Sequence, residues 1–209
     1  MKKLLLTLLL SLIILSSNSQ QRLTYQIYSL GSNDGDTSFM EVKRNGKQLK
    51  IHDVIEFQGK LIPGISTETT YVDYEKDSAY LCISFNDGDS YYSSIPLKNN
   101  NVKFTEEGTE MMNGYDCKKY RTSINSNTIE VWMTESLGYD ATPSISRGAL
   151  KGVMIRQAIN GNRILELKNI NKERKLKHEI IPSDLGTRVS PNEIDKISRK
   201  SENPSITRD

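Results

Sequence analysis

Three of the Asn-Gly and Asp-Gly dipeptides, each set between runs that alternate apolar and polar residues, most constrain the fold of this chain. Asn45-Gly46 joins residues 39–43 to 48–51, Asp87-Gly88 follows the face Ala79, Leu81, Ile83, Phe85, and Asn160-Gly161 joins 153–159 to 163–167. Both central residues of a type I′ turn need positive φ, so Asn45-Gly46 is the strongest short hairpin signal, and Asp87-Gly88 and Asn160-Gly161 mark further turns. A fourth polar turn, Asn125-Ser126-Asn127, separates 115–123 from 128–133. Residues 23–30 place Leu23, Tyr25 and Ile27 on one face and Thr24, Gln26 and Tyr28 on the other, the period of two of a half-buried strand. Connections this short cannot hold parallel crossovers. The expected fold is therefore all-β: a mainly antiparallel sheet, built as a sandwich, a barrel or a strongly curved open sheet. Residues 69–74 and a short, edge-forming 102–104 complete the expected strands.

The N-terminus has a different character. Lys2 and Lys3 precede a run of leucine and isoleucine interrupted only by Thr7 and Ser11, and Ser17 and Ser19 suit the subsites of a signal peptidase. The run is shorter than the ~20 apolar residues of a spanning helix. Residues 1–19 are expected to be a signal peptide cleaved near Ser19, which places the protein in the periplasm or outside the cell. The expected β domain covers residues 20–182. Residues 183–209 are expected to form a polar, short helical or disordered tail or linker, in which Ser190-Pro191-Asn192-Glu193 reads as a capping box.

Export bears on the two cysteines. Cys82 and Cys117 either form one disulfide, closing a loop of about 36 residues, or remain two separate buried thiols. Neither comes with a Cys-His pattern of a catalytic thiol.

The search for chemistry is mostly negative. His52 and His178 are far apart and no HExxH or CxxC spacing occurs. Asn-Asp-Gly-Asp occurs at residues 33–36 and 86–89, but neither copy continues into a calcium loop, and turn formation accounts for both. There is no Gly-x-Ser-x-Gly elbow. Glu106, Glu107 and Glu110 read as solvated acids on a loop. A net charge of +2 gives no argument for nucleic acid. No catalytic, metal-binding or cofactor-binding residue is expected, and the chain is read as not an enzyme. Aromatic residues offer the one suggestion of a ligand face: Tyr71, Tyr74, Tyr80, Tyr91, Tyr92 and Trp132, set against the ordinary reading of strand packing.

Two resemblances sharpen this outline. Gly114-Tyr115-Asp116-Cys117-Lys118-Lys119-Tyr120, then Ile129-Glu130-Val131-Trp132-Met133-Thr134 and a final hairpin, resembles the GLPGLI-type secreted proteins of Bacteroidetes. That resemblance implies a curved antiparallel sheet like the lipoprotein-carrier half-barrel, hence a periplasmic carrier of lipid or lipoprotein. Residues 124–132 with Leu137-Gly138-Tyr139, and the hairpin at Asn160-Gly161-Asn162-Arg163, are similar to the bowl-like N-terminal module of bacterial peptide-N-glycosidase F-type enzymes. That resemblance implies a non-catalytic binding or accessory module whose partner is a glycoprotein, a polysaccharide or another protein. It carries no catalytic residue over, since Asp209 falls where the catalytic part of such an enzyme would begin.

Overall fold

The computed structural model describes residues 20–30, 38–54, 56–57, 60–61, 66–97, 102–143, 148–173 and 180–202. The expected signal segment and the first Asn-Asp-Gly-Asp copy lie outside the described residues.

In chain order the strands are β1 (Gln20–Ser29), β2 (Ser38–Asn45), β3 (Gln48–Val54), β4 (Glu56–Phe57), β5 (Lys60–Leu61), β6 (Ser66–Asp73) and β7 (Ser78–Phe85). They continue as β8 (Ser90–Pro96), β9 (Thr105–Met112), β10 (Tyr115–Ile124), β11 (Asn127–Thr134), β12 (Val153–Ile159), β13 (Arg163–Glu173) and β14 (Thr187–Arg188). One helix, α1 (Pro191–Glu202), follows. Twelve strands form one open sheet in the order β14-β8-β7-β6-β3-β2-β1-β13-β12-β11-β10-β9, and β4 and β5 pair separately. The fold is all-β, as the turn pattern requires. Consecutive hairpins supply most neighbours, while β1 joins the two halves by pairing with both β2 and β13.

Residues directly opposite in antiparallel strands share a face. Ile51, Val42, Leu23 and Ile170 are opposed in turn across β3, β2, β1 and β13. In the same way Ile27, Leu165, Gln157, Val131 and Tyr120 are opposed across β1, β13, β12, β11 and β10. Leu23, Val42 and Val131 on this face are fully buried. The alternation of β1 is thus the inside and outside of the core, and burying such residues is the main stabilising contribution, about 25 cal/mol per Å² of apolar surface.

The sheet curls. The Tyr25 hydroxyl on β1 donates to the Met154 carbonyl on β12 at 2.8 Å, past the intervening β13. Register shifts at Thr24/Tyr25, Lys119/Tyr120 and Trp132/Met133 mark bulges in this half of the sheet. Bulges bend a strand and increase its twist, which is how a long open sheet curves.

One expectation changes, and two gain detail. Residues 102–104 are not a strand, and the edge is β9 directly after them, carrying the Glu106, Glu107 and Glu110 that read as loop acids. Charge on an edge strand discourages pairing with other chains, which explains an edge with no apolar alternation. The sheet is mixed, because β14 pairs with β8 in parallel. Residues 187–202, expected in a tail, supply that edge strand and a docked helix: Ile194 is 1% exposed. The capping box itself forms as read. The Glu193 amide donates to the Ser190 Oγ at 3.3 Å, and the Glu193 carboxylate accepts from the Ser190 amide at 2.9 Å and its hydroxyl at 2.7 Å. These bonds with Ser190 hold the Glu193 carboxyl below its ordinary value.

Candidate binding faces

The six aromatic residues expected on one face divide among four places. Tyr71 opposes Tyr80, and Cys82 opposes Tyr92, so Tyr71, Tyr80 and Tyr92 share a face. The rings of Tyr80 and Tyr92 lie 6.5 Å apart, tilted by 56°. Tyr91 opposes Ile83 on the other face and meets Phe85 edge-on at 6.2 Å. Tyr74 lies just beyond β6 among Tyr25, Arg44 and Tyr139, part of the packed interior. Trp132 sits on β11, in the other half of the sheet, and is 6% exposed. A single aromatic face is therefore not present. The physical reason is the pleat: neighbours such as Tyr91 and Tyr92 must point to opposite sides.

Trp132 belongs to a row of charge. Lys119, Trp132, Arg156 and Glu166 oppose one another in turn on β10, β11, β12 and β13. The Lys119 ammonium lies 5.1 Å from the indole and the Arg156 guanidinium 5.5 Å. Both are at cation–π distance. The indole N–H donates to Glu110 from the edge strand. Lys119 also meets Glu130 at 2.7 Å and Glu107 at 3.4 Å, and Arg121 meets Glu107 at 3.0 Å and Glu130 at 2.9 Å. Hydrogen bonds from Lys119 and Arg121 hold the Glu130 carboxyl below its ordinary value. Glu166 is subject to opposed effects. Burial pushes its carboxyl up, but bonds from Lys168, Tyr28 and Asn113 outweigh this and leave it lowered. With its indole covered by these neighbours, Trp132 has little ring face to offer a ligand. It is better placed to tie β9 to the sheet.

The cysteines stand apart. Cys82 on β7 and Cys117 on β10 are free and buried. The disulfide is thereby corrected to the second reading, two separate thiols. Seven strands lie between β7 and β10 in the sheet order, far more than the ~6 Å between Cα atoms that a disulfide spans. Burial pushes each thiol up to about 11.

Beside the Tyr71 face lies a cleft of about 580 Å³. One wall is the β7–β8 hairpin with Ser84, Asp89 and Ser90, the other the segment with Asp184 and Thr187, and Tyr71 lines the cleft between them. The hairpin tip is the second Asn-Asp-Gly-Asp copy, which forms a turn: the Gly88 amide donates to the Phe85 carbonyl at 3.1 Å and the Asp89 amide to the Asp87 carboxylate at 3.1 Å. The opposite wall could not be read from sequence, because it depends on the long-range pairing of β14 with β8. A second cleft, of about 460 Å³, lies between the β9–β10 turn at Asn113 and Tyr115 and residues Leu167–Ile170 of β13.

Comparison with known proteins sets these features in a family. No curated protein matches the chain. Its fold is shared with two crystal structures of PNGF-II. The one in space group P21 matches with a TM-score of 0.73 at 21% identity, over 88% of this chain and 34% of that chain. The one in space group C2 matches with a TM-score of 0.70 at 22% identity, over 88% of this chain and 33% of that chain. The chain thus spans about a third of the length of the solved structures it resembles. Residues 23–200 match the family described as "N-glycanase peptide, N-terminal domain", and over that span, which includes β14 and most of α1, the chain belongs to this family of N-terminal modules.

Proposed function

We propose that this protein is a non-catalytic, exported accessory module that engages glycoprotein on behalf of N-glycan-releasing chemistry. The observation that carries the reading is family membership across residues 23–200, in a module that makes up about a third of the matched structures. The described side chains agree with it. Their conspicuous charged cluster, around Trp132, is consumed in internal ion pairs and hydrogen bonds. The cysteine thiols are buried and held protonated, whereas a nucleophilic thiol needs a lowered pKa and access. The layout of residues 1–19 supports export.

The test is an assay of glycan release. Purified protein is incubated with a denatured N-glycoprotein, and free glycan is quantified by mass spectrometry. The reading expects no release above the buffer control. Release that grows linearly with protein concentration would overturn it.

A further inference from the structure

We propose that the cleft between the β7–β8 hairpin and the β14 segment is a binding site for a neutral, hydroxyl-rich saccharide. The proposal rests on the accessory reading above and assigns it a ligand and a place.

The argument begins with the chemistry of the walls. Asp89 and Asp184 offer carboxylates, Ser84, Ser90 and Thr187 offer hydroxyls, and Tyr71, 8% exposed with the Lys50 ammonium 5.8 Å from its ring, offers a small aromatic surface. Carboxylates and hydroxyls accept hydrogen bonds from sugar hydroxyls, and an aromatic residue packs against the apolar C–H face of a pyranose ring. Among the described residues, no lysine, arginine or histidine lines the cleft. An anionic ligand would meet two carboxylates with no cation among the described lining residues, which is unfavourable. An acyl chain would find a predominantly polar lining, whose desolvation is costly. A volume of about 580 Å³ lies within the usual range for small-ligand sites and suits two to three sugar rings.

The walls are held in place before any ligand arrives. The Gly186 amide donates to the Asp184 carboxylate at 2.8 Å. Gly186 has φ +94°, and a Cβ there would run into the Ser90 carbonyl, so only glycine lets this segment lie so close to β8. The Val189 amide then donates to the Tyr92 carbonyl at 2.8 Å, continuing the parallel pairing. Within the hairpin wall the Ser90 hydroxyl donates to that of Ser84 at 3.1 Å. Pre-ordered walls lower the entropic cost of binding.

The test uses the full chain and two soluble probes, a free oligomannose N-glycan and dextran, titrated by calorimetry. Two variants accompany it, with folding checked by circular dichroism: Ser84→Phe, which fills the cleft from an exposed strand position, and the near-isosteric Asp89→Asn. Saturable binding of at least one probe is expected, weakened at least about tenfold by each variant. Binding of the oligomannose alone assigns the saccharide to N-glycans, and binding of both assigns it to neutral polysaccharides generally. No saturable binding of either probe, or undiminished binding by folded Ser84→Phe, would overturn the proposal. If Ser84→Phe still binds intact glycoprotein, the cleft assignment falls while the accessory reading stands. Glycan release by the wild-type chain would remove the accessory reading instead.

Discussion

The side-chain amide of Asn113, in the turn between β9 and β10, donates to the Glu166 carboxylate on β13 at 3.1 Å. The same amide donates to the Leu167 carbonyl at 3.2 Å. In a flat sheet β10 and β13 would lie about 14 Å apart, three strand spacings. An asparagine side chain cannot bridge that gap, so this pair records the curl of the sheet directly.

The first prediction follows from that tie. Asn113 has φ +51°, a conformation that glycine adopts without strain. Asn113→Gly therefore removes both hydrogen bonds while easing the backbone. Stability is expected to fall by about 1–2 kcal/mol, because Glu166 loses a donor in a partly buried position. Urea unfolding monitored through Trp132 measures this, and unchanged stability would mean that the tie is incidental.

Much of the sheet was legible because turns and alternation are local. The Asn45-Gly46 and Asn160-Gly161 dipeptides sit in hairpins whose partner strands match the expected ones closely. Edge β9 is marked in the sequence only by Asn113-Gly114, the turn that joins it to β10. Its residues are almost all exposed, so neither face leaves an apolar record in the sequence. The docking of β14 and α1 was also hidden, since two residues paired in parallel with a strand nearly 100 positions away carry no local periodicity. As for the aromatic face, alternation could have separated Tyr91 from Tyr92, whereas the burial of Trp132 beneath Lys119, Arg156 and Glu110 depends on three separate strand pairings.

A second prediction concerns the thiols. With Cys82 and Cys117 pushed up to about 11 and buried, the folded protein should react with a thiol reagent at pH 8 very slowly. Only about one thiol in a thousand is ionised there, and each is shielded. Denaturation should release two reactive thiols per chain. Intact mass under non-reducing conditions should match the fully reduced form, and a mass two hydrogens lighter would contradict the free-thiol assignment.

The third prediction is a pH dependence. Glu130 is lowered by Lys119 and Arg121, and Glu166 is lowered by its hydrogen bonds despite burial. A carboxyl depressed in the folded state contributes stability that is fully present above its unfolded value of about 4.3 and is lost as pH falls through the folded value. Thermal stability should therefore be level from pH 7 to about 5 and decline below about 4. Glu130→Gln should lower stability at pH 7 and flatten the acid decline. An equally steep decline in that variant would place the acid sensitivity elsewhere.

The most direct test of the central claim is binding to one glycoprotein in two states. Surface plasmon resonance records the purified chain over an immobilised N-glycoprotein, then over the same surface after an independent glycosidase has removed its glycans. The accessory account predicts saturable binding that weakens at least about tenfold once the glycans are gone. Equal binding to both surfaces, or none to either, would contradict it.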